Sequence, residues 1–540
     1  VRVVILSSHD PGTLRQQVVD LLQRGLTVLL EVTCIEQAQF GEQLGVHGLI
    51  AKGSEAGGWV GDETTFILLQ RLLSHVHTPI WAQGGIGQHT VAACYAAGAA
   101  GVVLDSQLAL TRESPLPEAV RRAIAAMDGS ETMCLGGELN QLCRVYARPK
   151  LPVLESLREM SIILTQKAQS RNETVREWRQ AVDARIGWDA PHQHVWFLGQ
   201  DAAFAAPLAR RYHTVGGVLK ALREAVSTHV SAAQATRPLD EGAPLASSHG
   251  TRYPIVQGPM TRVSDQVEFA LRVAEGGALP FLALALMRAP EINSLLEEVK
   301  RSLRDRPWGV GILGFVPVDL RQEQMDVIRQ YRPPFALIAG GRPDQAHALE
   351  KEGIPTYLHV PSPGLLRLFL ENGARRFVFE GRECGGHVGP LSSFMLWNTM
   401  IDVLLKDLPA RELASCHVLF AGGIHDAPSA SMAAVMAAPL AHQGARVGVL
   451  LGTSYLFTQE AVATGAILPG FQEEALRCQR TVLLESGVGH AIRCTESAYA
   501  DSFQRRKQQL LREGRSPDEI RQMLEGMNLG RLRIASKGIT

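Results

Sequence analysis

Residues 375–393, RRFVFEGRECGGHVGPLSS, put three kinds of chemistry into one stretch. Phe377 to Glu380 form an apolar run bounded by charge, which predicts a buried β-strand. Gly381, Gly385, Gly386 and Gly389 follow it, with His387 between the last two. Glycine lets a backbone approach a ligand closely and turn its N–H groups toward an anion. In a parallel sheet, ligands bind at the C-terminal ends of the strands. Histidine can donate, accept or transfer a proton near neutral pH. The stretch therefore reads as a phosphate-compatible loop with a proton-handling residue.

Two further glycine loops end the next two strand candidates: Gly422-Gly423 and Gly452-Thr453. One Gly-Gly pair would be an ordinary turn, but three at successive strand ends describe the recurrent phosphate site of a (β/α)8 barrel. An earlier strand ends in Gln257-Gly258-Pro259-Met260. Its backbone can hydrogen-bond the edge of a planar heterocycle while Met260 packs under the face; the alternative is a strand simply terminated by Gly-Pro. Trp308-Gly309-Val310-Gly311 and Ala339-Gly340-Gly341 keep the same strand ends small. His387 is the candidate catalytic residue, with His425 as the other histidine beside a glycine loop. Cys384 could pair with His387 as a nucleophile, but a small buried cysteine is the simpler reading. His490 and Arg493, in SGVGHAIRC, form a second polar cluster. No His, Asp or Glu spacing suits a metal.

The elements that must position these residues alternate strands with helices. From Tyr253 the strand candidates are PIVQGPM, LPFLALAL, PWGVGILGF, FALIAGG, PTYLHVPS, FVFEGRE, CHVLFAGGI and VGVLLGTSYLF. Eight βα units predict a TIM barrel over residues 251–458. Residues 1–127 hold five strands and four helices in the same rhythm, starting with VRVVILSS. Residues 128–250 read as a helical connector, with DEGAPLASSHGTRYP as the linker, and 459–540 as a mostly helical extension. A binding role for Gln200-Asp201 in the connector is the weaker alternative.

The two alternating regions repeat one another. GLIAKGSEAGGWVG matches RFVFEGRECGGHVG, PIWAQGGIG matches VLFAGGIHD, and AGVVLDSQLAL matches VGVLLGTSYLF. The first copy thus corresponds to strands four to eight of the second, and its opening in mid-fold reads as a cut from a longer polypeptide. Trp59 replaces His387, and Asp105-Ser106 replaces Gly452-Thr453. An aspartate at a phosphate position repels the ligand.

Composition narrows the class. The 540 residues carry 54 basic and 54 acidic side chains, which argues against a polyanion partner held by bulk charge. Eight scattered cysteines without a CxxC pair fit reduced thiols in a cytoplasmic protein. No apolar run reaches membrane-spanning length, and the sequence shows no charged-then-apolar signal segment.

VQGPM, EGRECGGHVGP, AGGI and LGTSYLF, in that order on a barrel, resemble the nitronate monooxygenase (2-nitropropane dioxygenase) family and its relatives, the FMN-dependent enoyl-acyl carrier protein reductases. The resemblance implies FMN at the mouth of the second barrel. Its phosphate would lie on Gly385, Gly386, Gly422, Gly423, Gly452 and Thr453, and its ring near Gly258, Pro259 and Met260. It also implies His387 beside the flavin and NAD(P)H as reductant. The doubled arrangement, with VWFLGQDAAFA, SGVGHAIRC and GRLRIASKG, looks like the N-terminal region of polyketide or polyunsaturated-fatty-acid synthase-type proteins. That implies an enoyl thioester on an acyl carrier protein, or a small-molecule substrate, with other synthase domains as partners. Monomer and homodimer both remain open. Nitronate oxidation with O₂ is the alternative activity, and a non-catalytic docking barrel is the alternative class. The first copy is expected to be a degenerate barrel without flavin.

Overall fold

The computed structural model describes all residues except 1, 8–10, 148–150, 168–169, 191, 488 and 538–540. Val488 of SGVGHAIRC and Gly538 of GRLRIASKG therefore lie outside the described residues. The chain divides into two compact units, Val1–Ala232 and Ala233–Thr540.

The first unit contains β1 (Val3–Leu6), β2 (Thr27–Val32), β3 (Gly48–Lys52), β4 (Gly58–Val60), β5 (Ile80–Gln83), β6 (Gly101–Val103), β7 (Thr132–Leu135) and β8 (Leu142–Tyr146). Five of them form an open sheet in the order β1-β2-β3-β5-β6, all parallel. Every residue of β3 is buried, which is why GLIAK reads as an uninterrupted run rather than an alternation. The remaining three strands make a small sheet, β4-β8-β7.

The second unit contains β9 (Ile255–Gln257), β10 (Leu279–Ala283), β11 (Gly309–Leu313), β12 (Phe335–Ala339), β13 (Thr356–His359), β14 (Arg376–Glu380), β15 (Gly386–Val388), β16 (His417–Ala421), β17 (Arg446–Leu451), β18 (Thr481–Gly487) and β19 (His490–Thr495). Eight close into a barrel, β9-β10-β11-β12-β13-β14-β16-β17 and back to β9. These are the eight strands read from the sequence, and the fold is a TIM barrel. Its lumen is filled by Val256, Leu279, Phe281, Phe335, Leu337, Tyr357, Val378 and Leu419. Gly309 is what lets Phe281 lie across it, since a Cβ there would stand 2.5 Å from the Phe281 ring.

Three stretches differ from their sequence reading. Residues 128–250 include the β7–β8 hairpin, whose strands TMCL and LCRVY are too short to stand out among polar helices. The extension after 459 likewise contains the antiparallel β18–β19 hairpin. DEGAPLASSHGTRYP is not a free linker: its helix Pro244–His249 buries Leu245, Ala246 and His249. Leu245 joins the lumen cluster and packs where a Cβ on Gly448 would lie 2.3 Å away. No helix among the described residues is long and apolar enough to cross a membrane.

That helix closes the N-terminal end of the barrel with a buried polar chain. His249 Nε2 lies 2.7 Å from the Tyr357 hydroxyl, which lies 3.3 Å from His417 Nδ1, and Arg446 reaches His417 Nε2 at 3.3 Å. Burial, with help from the Arg376 guanidinium, pushes both histidines down to about 3. Arg376 is itself held by Glu350 at 2.9 Å. Below pH 6.5 the unfolded chain takes up protons that the folded lumen refuses until about pH 3, so stability is lost as pH falls through that window. Each histidine removes up to about 1.4 kcal/mol per pH unit there. Urea unfolding compared at about pH 7 and about pH 5 will show this slope, and His249→Gln will make it shallower by roughly one histidine's share.

Candidate functional site

The loop after β14 is fixed by a carboxylate. Glu383 accepts the Ser393 N–H at 2.8 Å and the Ser393 hydroxyl at 2.6 Å, capping the helix Ser393–Asp407. The Gly381 N–H donates to Ala421 O at 3.0 Å, tying the loop to the end of β16. A Cβ on Gly381 would lie 2.1 Å from Ser393 Oγ. Gly422 has φ +121°, and a Cβ there would also strike Ser393 Oγ, at 2.7 Å. Both glycines are therefore required by close approach, and Gly422 by its backbone conformation as well.

These contacts bring the predicted loops together. A Cβ on Gly385 would lie 2.6 Å from Thr453 Oγ1, and one on Gly452 3.7 Å from Met260 Sδ. Gly258 donates its N–H to Leu451 O at 2.9 Å, and Pro259 stands over Gly311, where a Cβ would be 2.2 Å from it. Gly258, Pro259, Met260, Gly385, Gly422, Gly452 and Thr453 thus converge at the C-terminal mouth. Gly423 follows Gly422 with φ +76°, and its N–H has no protein acceptor among the described residues. Gly386 is exposed and has φ +84°. These N–H groups and the Thr453 hydroxyl fit a phosphate, and the Pro259–Met260 shelf fits the face of a planar ring.

His387 is the central residue of β15, opposite Ile492 of β19, and it is exposed. The C-terminal hairpin therefore holds the strand that carries it. Arg493 Nε donates to Arg382 O at 2.9 Å and clamps the same loop. His490 turns away to Glu525, 3.2 Å distant, so the expected His490–Arg493 cluster is divided. His425 contacts Gly423 O at 3.1 Å. The Cys384 thiol is pushed well up by burial, then by the carboxylates of Glu380 and Glu383, which fits a buried structural thiol. No group of three or more His, Cys, Asp or Glu among the described residues could hold a metal.

The first unit repeats this frame. Glu55 accepts the Thr65 N–H at 2.9 Å, Gly53 N–H donates to Gln83 O at 2.9 Å, and Gly84 and Gly85 have φ +111° and +66°. β8 pairs with β4 as β19 pairs with β15. The contents differ. Asp201 accepts the Gly85 N–H at 3.1 Å and Gln107 Nε2 at 2.9 Å, while Gly199 N–H donates to Ser106 Oγ at 3.0 Å. Asp201 therefore takes the N–H whose counterpart at Gly423 has no protein acceptor among the described residues, and Ser106, the counterpart of Thr453, accepts from Gly199. Asp201 is fully buried, and its carboxyl is held well above the usual range by burial and by Asp105 and Glu55. Trp59, the counterpart of His387, packs under the Arg179 guanidinium at 4.1 Å and against Phe197.

Sequence reasoning missed the Glu383–Ser393 and Glu55–Thr65 pins, although both acids were visible in GRECGG and GSEAGG. It also missed the hairpin clamps and the part played by Asp201. Gly452 (φ −127°, ψ −74°) and Asp105 (φ −137°, ψ −104°) lie in neighbouring backbone conformations, and an aspartate is accommodated there in the first unit. Gly452→Asp should leave the thermal transition unchanged within error and weaken by about tenfold or more the binding of a phosphate-bearing ligand at the mouth, as read by fluorescence titration with FMN as the probe.

Residues 1–184 match a family model described as Nitronate monooxygenase. A curated relative from Rhodococcus jostii, named (3aS,4S,5R,7aS)-5-hydroxy-7a-methyl-1-oxo-octahydro-1H-indene-4-carboxyl-CoA dehydrogenase, is 25% identical over 46% of this chain and 64% of its own length. A nitronate monooxygenase from Paraburkholderia phytofirmans is 29% identical over 27% of this chain and 45% of its own. The chain thus spans less than two thirds of either relative. The solved structure of FabK from Thermotoga maritima is 24% identical, covers 55% of this chain and 85% of that one, and has a TM-score of 0.44. The family match thus falls on residues 1–184, within the first unit.

Proposed function

We propose that the second unit is an FMN-dependent oxidoreductase that reduces an enoyl thioester with NAD(P)H. The observation that carries this reading is the contrast between two copies of one frame. The Gly85 N–H is taken by Asp201 in the first unit, whereas the matching Gly423 N–H has no protein acceptor among the described residues. The nitronate monooxygenase family match lies in the first unit, over residues 1–184, and the internal repeat is the ground for reading the second unit with it. The Rhodococcus relative is named for a CoA thioester, which favours a thioester, and an acyl carrier protein is the partner that would present one.

In this reading Gly385, Gly386, Gly422, Gly423, Gly452 and Thr453 hold the phosphate, and Gly258, Pro259 and Met260 support the ring. When bound, FMN supplies reversible two-electron chemistry. The protein's own work is to place the substrate over the Pro259–Met260 shelf and to handle the proton. His387, held on β15 by the β18–β19 hairpin, has no hydrogen-bond partner among the described residues and can polarise the thioester carbonyl from the rim. The second reading is nitronate oxidation with O₂, with His387 as base. It is favoured by the family description and the Paraburkholderia relative.

The purified chain should bind one FMN. With NADPH it should reduce crotonyl thioester, and His387→Ala should keep the flavin but slow turnover by about 10²-fold. A chain that takes up no flavin would sink both readings. Turnover of a nitronate without NAD(P)H, and none of the thioester, would select the second.

A further inference from the structure

The top of the barrel lumen holds a pair of titratable side chains that neither the glycine loops nor His387 accounts for. His359 ends β13 and Glu380 ends the adjacent β14. Side chains alternate along a strand, and Tyr357 and Val378, two residues earlier on each, belong to the lumen cluster. His359 and Glu380 therefore point into the lumen one layer above them, at the mouth end. His359 Nδ1 and Glu380 Oε2 are 2.8 Å apart, and both side chains are largely enclosed, at 18% and 22% exposed. A carboxylate can only accept, so Nδ1 carries the shared hydrogen and Nε2 is the imidazole's free atom. That atom is buried and has no hydrogen-bond partner among the described residues.

A buried polar atom without a partner is costly, and one in a site invites a functional explanation. The neighbouring strand ends carry only small residues, Ala339, Ala421 and Gly311, the last packed beneath Pro259 of the mouth shelf. The charged and titratable groups that face the pair are Cys384, whose thiol shares the Glu380 carboxylate, and Glu383 beside it. Tyr357, His417, Arg376 and Arg446 lie deeper in the lumen, and His387 stands outside on β15. The pair has the form of an acid–base group: an imidazole oriented at one nitrogen by a carboxylate and open at the other.

We propose that His359 is a catalytic residue of the second unit, with Glu380 as its positioning residue, and that Nε2 supplies the substrate's proton. This rests on the oxidoreductase reading above. In the enoyl-thioester case, the carbon next to the thioester carbonyl becomes electron-rich once the distal carbon is reduced. The donor is the ring protonated at both nitrogens: its Nε2–H bond breaks and the electron pair stays on nitrogen, leaving the neutral Nδ1–H form, while the carbanion's pair forms the new C–H bond. The imidazole keeps its Nδ1 hydrogen on Glu380 and regains a proton at Nε2 from water. His387, on the rim, is left to hold the carbonyl.

The test compares wild type, His359→Gln, Glu380→Gln and His387→Ala, all loaded with FMN. His359→Gln should retain FMN with affinity within about threefold and lose thioester reduction by about 10²-fold. Glu380→Gln should lose about tenfold and displace the pH profile of kcat, a change that mere loss of packing would not produce. Independently of turnover, the visible band of bound FMN in wild type should shift between acid and alkaline pH, and in His359→Gln it should stay fixed. Wild-type turnover with an unchanged His359→Gln rate and spectrum would overturn this proposal while leaving the oxidoreductase reading standing. A wild-type chain that binds no FMN, or reduces no thioester with it, would overturn both. If His359→Gln does not fold, Glu380→Gln decides by its pH profile, and an unmoved profile overturns the pairing.

Discussion

One carboxylate–hydroxyl contact sets the geometry on which the site depends. Glu383 spends itself on the N–H and hydroxyl of Ser393, and the first unit makes the matching contact between Glu55 and Thr65. A helix start carries unpaired N–H groups and a partial positive charge, so an acid there is favourable on both counts. Its further consequence is steric. With Ser393 held in place, Gly381 and Gly422 can carry no Cβ. The loop after β14 and the loop after β16 are thereby locked edge to edge, and their N–H groups are presented together.

The same frame has been put to two ends. In the first unit Asp201 satisfies the donors from within, and Trp59 is packed beneath Arg179. The resulting buried carboxylate is kept high in pKa by burial and by its acidic neighbours, a cost the fold carries in exchange for closed loops. In the second unit Gly452 stands where Asp105 stands in the first, and His387 where Trp59 stands.

The hairpins show where a site ends. β18–β19 lies far along the chain, yet it pairs with β15 and, through Arg493, grips the carbonyl of Arg382. Its strand pattern was overlooked because six- and seven-residue strands between polar helices give a weak signal, and because the partner strand β15 has only three residues. The Pro244–His249 helix was overlooked for the opposite reason. Its Pro, Gly and Ser residues suggest a linker, and only the closed lumen gives Leu245 and His249 something to bury against.

The sequence by itself determined the βα rhythm, the eight strands of the barrel, the repeat, and the strand ends at which the glycines fall. Those follow from local properties: apolar runs, turn residues and spacing along the chain. Only the tertiary structure decided which donors are satisfied and which are left facing the mouth. That question depends on groups distant in sequence, such as Asp201 against Gly85 or Glu380 against His359, meeting within hydrogen-bond reach. Hydrogen bonds are short-ranged and directional, so no reading of composition or period can tell that Gly85 meets Asp201 while its sister Gly423 meets no acceptor among the described residues.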